Sequence, residues 1–165
     1  MKRRGFVWLS GQSLFEVLFS IAIAAVLLTG VVALATTSVR NSTVARDTSL
    51  ANRYVEEGAE WLREERDKGW NSFRGRAATS TVWCLKALSW SSPAFASACG
   101  SGDFLPSTVL IRSVVFTCFA TNPPSINCAD ASVNNIDTEV TVAWTDSAGV
   151  HETNMVTRLT NWKGE

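Results

Sequence analysis

An α+β fold is predicted for this 165-residue chain: one long N-terminal helix, its first half apolar enough to be membrane-embedded, laid on an antiparallel β-sheet of about four strands. Three observations lead there. No proline occurs before Pro93, and helix-forming residues continue without interruption as far as Lys68. From Gly69 onward the composition shifts to serine, threonine, glycine and β-branched runs. All four cysteines fall in that second part, at Cys84, Cys99, Cys118 and Cys128, as expected of a small disulfide-bonded domain.

The helix is expected from about Ser13 to Lys68, roughly 80 Å at the usual rise per residue. Within it, Val17 to Ala35 carries no formal charge; these about 19 residues span roughly 28 Å, close to the hydrocarbon thickness of a bilayer. Gly30 is the helix breaker inside this run, and any local opening is expected to centre on it. The second half is amphipathic. Leu50, Tyr54, Trp61 and Leu62 make an apolar stripe, with charged residues opposite. Arg53 with Glu57, Arg63 with Asp67 and Glu64 with Lys68 stand at i,i+4 spacing, which favours ion pairs along the exposed face. Gly69 should stop the helix.

Asn71 to Thr81, rich in Ser, Thr, Gly and Arg, reads as a connecting loop, and Thr81 to Leu85 as a candidate strand. Ser89 to Pro106 should be mostly loop, tied back through Cys99. Thr108 to Ala120 (TVLIRSVVFTCFA) is the strongest strand, with Arg112 set within it. Thr121 to Asn135 reads as a loop holding Pro123, Pro124 and Cys128. Asp137 to Trp144 and Val150 to Trp162 flank the turn Asp146 to Gly149, a β-hairpin with a four-residue loop and with Val140, Val142 and Trp144 on one face.

The N-terminus carries the chemistry. Lys2-Arg3-Arg4 is followed by Gly11, then Gln12-Ser13-Leu14-Phe15-Glu16, then the apolar run. A carboxylate beside a membrane-length apolar helix is costly and calls for a partner. This arrangement resembles the processing site of type IV prepilins and of type II secretion pseudopilins. The resemblance implies cleavage after Gly11 by a prepilin peptidase and N-methylation of Gln12. It implies that Glu16 pairs with the N-terminal amine of a neighbouring subunit during assembly, and that the long helix carries a β-sheet head. The organisation expected is a leader over 1–11, a helix over 12–68 with its transmembrane segment at 17–35, and a disulfide-bonded head over 69–165. The implied partners are other pilin subunits, the peptidase, an inner-membrane assembly platform and membrane lipid before assembly.

The charge logic stands without the resemblance. Cleavage at Gly11 would free an α-amino group four residues from Glu16. In a bundle of parallel helices, a carboxylate meeting a neighbour's amine satisfies both charges and fixes axial register. Three other readings compete: a secretory signal peptide ending at Ala33-Leu34-Ala35, a plain transmembrane anchor, and a Glu16 merely solvated among headgroups. The first leaves Glu16 inside a signal core, and the second leaves Gly11 and Glu16 without a role. The basic cluster ahead of the apolar run places the N-terminus in the cytoplasm and the head outside the cytoplasmic membrane, later on an extracellular filament.

Four cysteines permit three connectivities, and Cys84–Cys99 with Cys118–Cys128 is favoured because each closes a short local loop. The full chain has formal net charge +0, with 15 basic and 15 acidic side chains; loss of Lys2, Arg3 and Arg4 leaves 12 against 15, or −3. Such a chain has no electrostatic footprint for nucleic acid. The single histidine, His151, should face solvent on a strand and lacks the partners of a general base. Asp103, Asp130, Asp137, Glu139, Asp146 and Glu152 are scattered singly rather than in a metal-loop spacing, and the cysteine spacing matches no zinc pattern. No cofactor, metal or enzymatic activity is expected. Trp83, Trp90, Trp144 and Trp162 could form an adhesive surface, but core packing is the default for such side chains. The function expected is a structural subunit (pilin, minor pilin or pseudopilin) of a type IV pilus-like filament. The alternative is a membrane-anchored or secreted extracellular binding domain acting outside a filament.

Overall fold

The computed structural model describes residues 12–79, 82–90, 93–94, 99–120 and 127–164. The leader, with Gly11, and the prolines Pro123 and Pro124 lie outside the described residues. The chain divides into two compact units, Met1–Ala45 and Arg46–Glu165. A helix, α1 (Gln12–Lys68), supplies the described part of the first unit and one layer of the second.

In the first unit α1 is helical at every described residue, Gly30 included, so no opening is seen at that glycine. A backbone of intrahelical hydrogen bonds outweighs the cost of a single interior glycine, about 1 kcal/mol. The helix is long and apolar enough, by length and composition, to cross a membrane, and none of its most apolar window is buried.

The second unit is α+β. Residues 46–68 of α1 and a second helix, α2 (Trp70–Thr79), share a core with an antiparallel sheet. Its strands are β1 (Val82–Cys84), β2 (Pro93–Ala94), β3 (Ile111–Ala120), β4 (Val133–Asp146) and β5 (Gly149–Thr160), in the order β2-β1-β3-β4-β5. Four strands are substantial and β2 is a two-residue edge, in agreement with the expected sheet. β4 alternates between buried and half-buried residues because one face meets the helices and the other faces solvent. Val140, Val142 and Trp144 are buried as their alternation requires.

Four local expectations need correction. The segment 71–79 is helical rather than loop: Trp70, Phe73 and Ala77 recur at helical spacing and are all buried, and their packing overrides a loop-like composition. Only Gly69 separates the two helices, and Phe73 N–H donates to its carbonyl at 3.1 Å. The hairpin turn is tighter than expected, since Asp146 pairs with Gly149. Gly149 adopts φ 131°, a conformation closed to residues with a Cβ, while Asp146 Oδ1 accepts Ala148 N–H at 2.6 Å.

The third correction concerns the helix face. Trp61 and Leu62 of the expected stripe are buried, but they are joined by Ala51, Val55, Gly58 and Ala59, whereas Leu50 and Tyr54 are only half-buried at the margin. Small residues allow the helix to lie close to the sheet. A Cβ on Gly58 would stand 3.0 Å from Val140 Cγ1 and 3.2 Å from Arg112 Cδ. Finally, the surface ion pairs form with different partners: Arg63 with Glu60, Lys68 with Glu65, and Arg66 with Asp67. Arg63 and Lys68 take carboxylates at i,i+3 spacing, which lies on the same helix face, while Asp67 takes its neighbour Arg66 and Glu57 takes Arg112.

Candidate functional site

Gln12 is the first residue of α1, and Glu16 stands one turn further along it. Glu16 is exposed, on one face with Val17, Ser20, Ile21 and Ala24. The hydroxyls of the same segment are satisfied within the helix: Ser20 Oγ donates to the Glu16 carbonyl at 2.7 Å, and Thr29 Oγ1 to the Val26 carbonyl at 2.8 Å. Such back-bonding lets a hydroxyl sit in an apolar helix without an outside partner. The Glu16 carboxylate has no equivalent. It makes no hydrogen bond or ion pair among the described residues, and it is the one charged group between Leu14 and Ala35. Around it Leu14 is 72 % exposed, Phe15 75 % and Leu18 59 %. The segment therefore presents apolar surface on all sides and a single carboxylate that has no partner among the described residues.

Both expected disulfides are present, Cys84–Cys99 from the end of β1 and Cys118–Cys128 from the end of β3, and no free cysteine is found. Asp103 lies near the first of them, but bridged sulfurs are not available to a metal, and its Oδ2 accepts Gly100 N–H at 2.9 Å. Asp130, Asp137, Glu139 and Asp146 are also engaged locally, whereas Glu152 is exposed on β5. Asp137 accepts two hydrogen bonds from Arg158, at 2.7 and 2.8 Å, and this guanidinium holds its carboxyl below the ordinary range. Asp130 closes a turn onto Ser132, and Glu139 accepts from Asn154 at 2.7 Å.

His151 departs from its expected place in solvent. It occupies the helix-facing register of β5, is half-buried, and stacks on Trp144 with ring centroids 5.4 Å apart. Its Nε2 is 3.0 Å from Asp146 Oδ1. The Ala148 N–H and then His151 draw the Asp146 carboxyl below its usual value. This pair clamps the hairpin turn. The four tryptophans form no common surface. Trp83 and Trp144 are buried, Trp90 packs in an aromatic cluster with Trp61, Trp83 and Phe116, and Trp162 is 65 % exposed with its Nε1 on Asp67 at 3.1 Å.

In the sequence Arg112 is a charge set within a strand; the fold gives it a role. Arg112 is 2 % exposed beneath Gly58. Its Nη1 donates to Glu57 Oε2 at 2.7 Å and to the Tyr54 carbonyl at 3.1 Å, and its Nε to the Leu85 carbonyl at 3.2 Å. One buried cation thus ties α1 to β3 and to the residue after β1. The available signal was the pairing of a helix glycine with a strand arginine, which no local pattern connects.

No protein-family model matches the chain, and no match was found among curated proteins or solved structures.

Proposed function

We propose that this chain is a structural subunit, a pilin, minor pilin or pseudopilin, of a type IV pilus-like filament, cut by a prepilin peptidase and assembled through its N-terminal helix. The observation that carries the reading is the unpartnered Glu16 carboxylate at the head of an exposed, membrane-length apolar helix. Such a segment is complete only when lipid or other helices cover its apolar surface and a cation meets its carboxylate. The α-amino group freed at Gln12 on a second subunit supplies that cation. Pairing fixes axial register, because any other register leaves a charge unsatisfied in apolar surroundings. The head, stapled by two disulfides, agrees with export to an oxidising compartment, while Lys2, Arg3 and Arg4 hold the leader in the cytoplasm.

Two measurements test this. Intact mass of protein extracted from membranes should show loss of residues 1–11 and one added methyl group on Gln12. Loss of residues 1–35 would instead establish a signal peptide and an exported binding domain. Glu16→Ala should leave processing, membrane insertion and head folding unchanged, yet impair entry into filaments, with Glu16→Asp intermediate. Wild-type incorporation of Glu16→Ala would rule out charge pairing as the assembly device.

A further inference from the structure

The two edges of the sheet are finished differently. At one edge β2 is two residues long and begins with Pro93, and both features discourage the addition of a further strand. At the other edge β5 runs for 12 residues without proline or lysine. Its register with β4 is unbroken from Gly149 to Thr160, so no bulge turns it aside. Two contacts fix the direction of its backbone groups. The Thr157 carbonyl accepts Thr138 Oγ1 of β4, and Asn161 N–H donates to the Asn134 carbonyl, each at 3.0 Å. Odd-numbered residues therefore turn their N–H and C=O toward β4, and even-numbered residues turn theirs outward. The Thr160 carbonyl is taken by Trp162 N–H at 3.0 Å. Among the described residues, the outward groups of Val150, Glu152, Asn154, Val156 and Arg158 bond to no other segment.

We propose that the outer edge of β5 captures an extended peptide segment of another protein as a further antiparallel strand of the sheet. The chemistry of that segment follows from what it lies beside. The even-numbered side chains of β5 all point to the face away from the helices and are exposed. Glu152 makes no hydrogen bond or ion pair among the described residues, and Arg158, though held by Asp137, is still 61 % exposed. A basic residue opposite Glu152 and an acidic one opposite Arg158 complement them, since like charges directly opposite destabilise a strand pair. Val150 walls an apolar hollow of about 410 Å³ with Phe104, Val109, Ile111 and Ala143, so a bulky apolar residue belongs opposite Val150. Along an antiparallel strand these come in the order acidic, basic six residues later, and apolar two beyond it. Main-chain hydrogen bonds supply the affinity, and the three side chains fix the register. The site lies within Arg46–Glu165 and uses neither Gly11 nor Glu16, so it stands or falls independently of the proposed function.

The probe is a capped peptide of alternating threonine and valine that carries an aspartate, a lysine and a phenylalanine at this spacing. The amides on its far edge are N-methylated, so that it cannot extend into fibres. Amide hydrogen exchange of the full-length protein in detergent is followed residue by residue by NMR, with and without the peptide. Saturating peptide should slow exchange at Glu152, Asn154, Val156 and Arg158 by about tenfold or more, and leave Thr153, Met155 and Thr157, already bonded to β4, unchanged. Moving the methyl groups to the edge that meets β5 should abolish the slowing. Glu152→Lys should weaken binding about fivefold at low salt, and replacing the peptide's lysine by glutamate should restore it. No slowing at the even-numbered residues, equal slowing by the peptide methylated on its inner edge, or indifference to the charge exchange overturns the proposal. Slowing that grows with protein concentration in the absence of peptide would assign the edge to a second copy and overturn it as well.

Discussion

In the unit Met1–Ala45, Leu14, Phe15 and Leu34 stand 72, 75 and 74 % exposed, whereas in Arg46–Glu165 Ala51, Leu62 and Val114 are fully buried. Both sets of helical residues belong to one continuous helix, α1. The difference lies in what the chain supplies for each half. The second half meets a sheet that covers its small-residue face. The described first half leaves its apolar residues exposed, over a length that could cross a membrane. Their charges differ in the same way. Arg112 is buried and donates to three acceptors, while Glu16 is exposed and accepts from no side chain among the described residues.

Separating the two units is the strongest way to break the comparison. A fragment of residues 46–165 should fold, stay soluble without detergent and sediment as a monomer, while the full chain should partition entirely into membranes. Aggregation of the fragment, with loss of its near-UV circular dichroism, would show that the head depends on the apolar half.

Next in size is Arg112→Ala in the head. It empties the space beneath Gly58 and leaves the Tyr54 and Leu85 carbonyls without their donor, and should cost about 3 kcal/mol in urea unfolding. Glu57→Gln leaves Arg112 its two carbonyls, and because Glu57 is half exposed it should cost about 1 kcal/mol. Equal costs for the two would mean that the arginine works through its ion pair rather than through burial.

The two interior glycines of α1 sharpen the contrast. Gly58→Val must displace Val140 or Arg112 and should destabilise the head by about 1–3 kcal/mol. A Cβ at Gly30 meets nothing within 4 Å, so Gly30→Ala should leave the head's unfolding midpoint unchanged and slightly raise helix content in detergent. A drop in head stability from Gly30→Ala would contradict the division of the helix.

The smallest expected effect is on pH dependence, and it belongs to the head. Burial pushes Glu65 upward, but hydrogen bonds from Lys68 and Trp90 outweigh it and hold its carboxyl below the ordinary 4.5. Asp137, held by Arg158, lies below its ordinary 3.8. Groups lowered on folding stabilise the fold above their unfolded values, and that stabilisation is lost as pH falls through the lowered folded values. The melting temperature of the head should therefore be flat from neutrality to about pH 5 and decline from about pH 4.5 downward. Arg158→Met should shallow the decline; an unchanged slope would show that the Arg158–Asp137 pair contributes nothing to it.

The extent of α1, its end at Gly69, both disulfide pairs and the inward face of β4 were legible in the sequence. Each is a local pattern: a helical run closed by a glycine, cysteines a short loop apart, and alternation along a strand. What no local pattern carried was the choice of face on α1. Of the bulkier apolar residues there, Trp61 and Leu62 enter the core while Leu50 and Tyr54 stop at its margin, and the buried face also holds Ala51, Val55, Gly58 and Ala59, because close approach to Val140 and Arg112 needs small side chains. The same holds for α2, whose loop-like composition becomes helical only when Trp70, Phe73 and Ala77 have a core to enter, and for His151, turned inward by its register on β5. Sequence determined where the backbone bends and which cysteines meet. Tertiary packing decided which surfaces touch, because contact depends on the shape of two elements together and each segment encodes only its own.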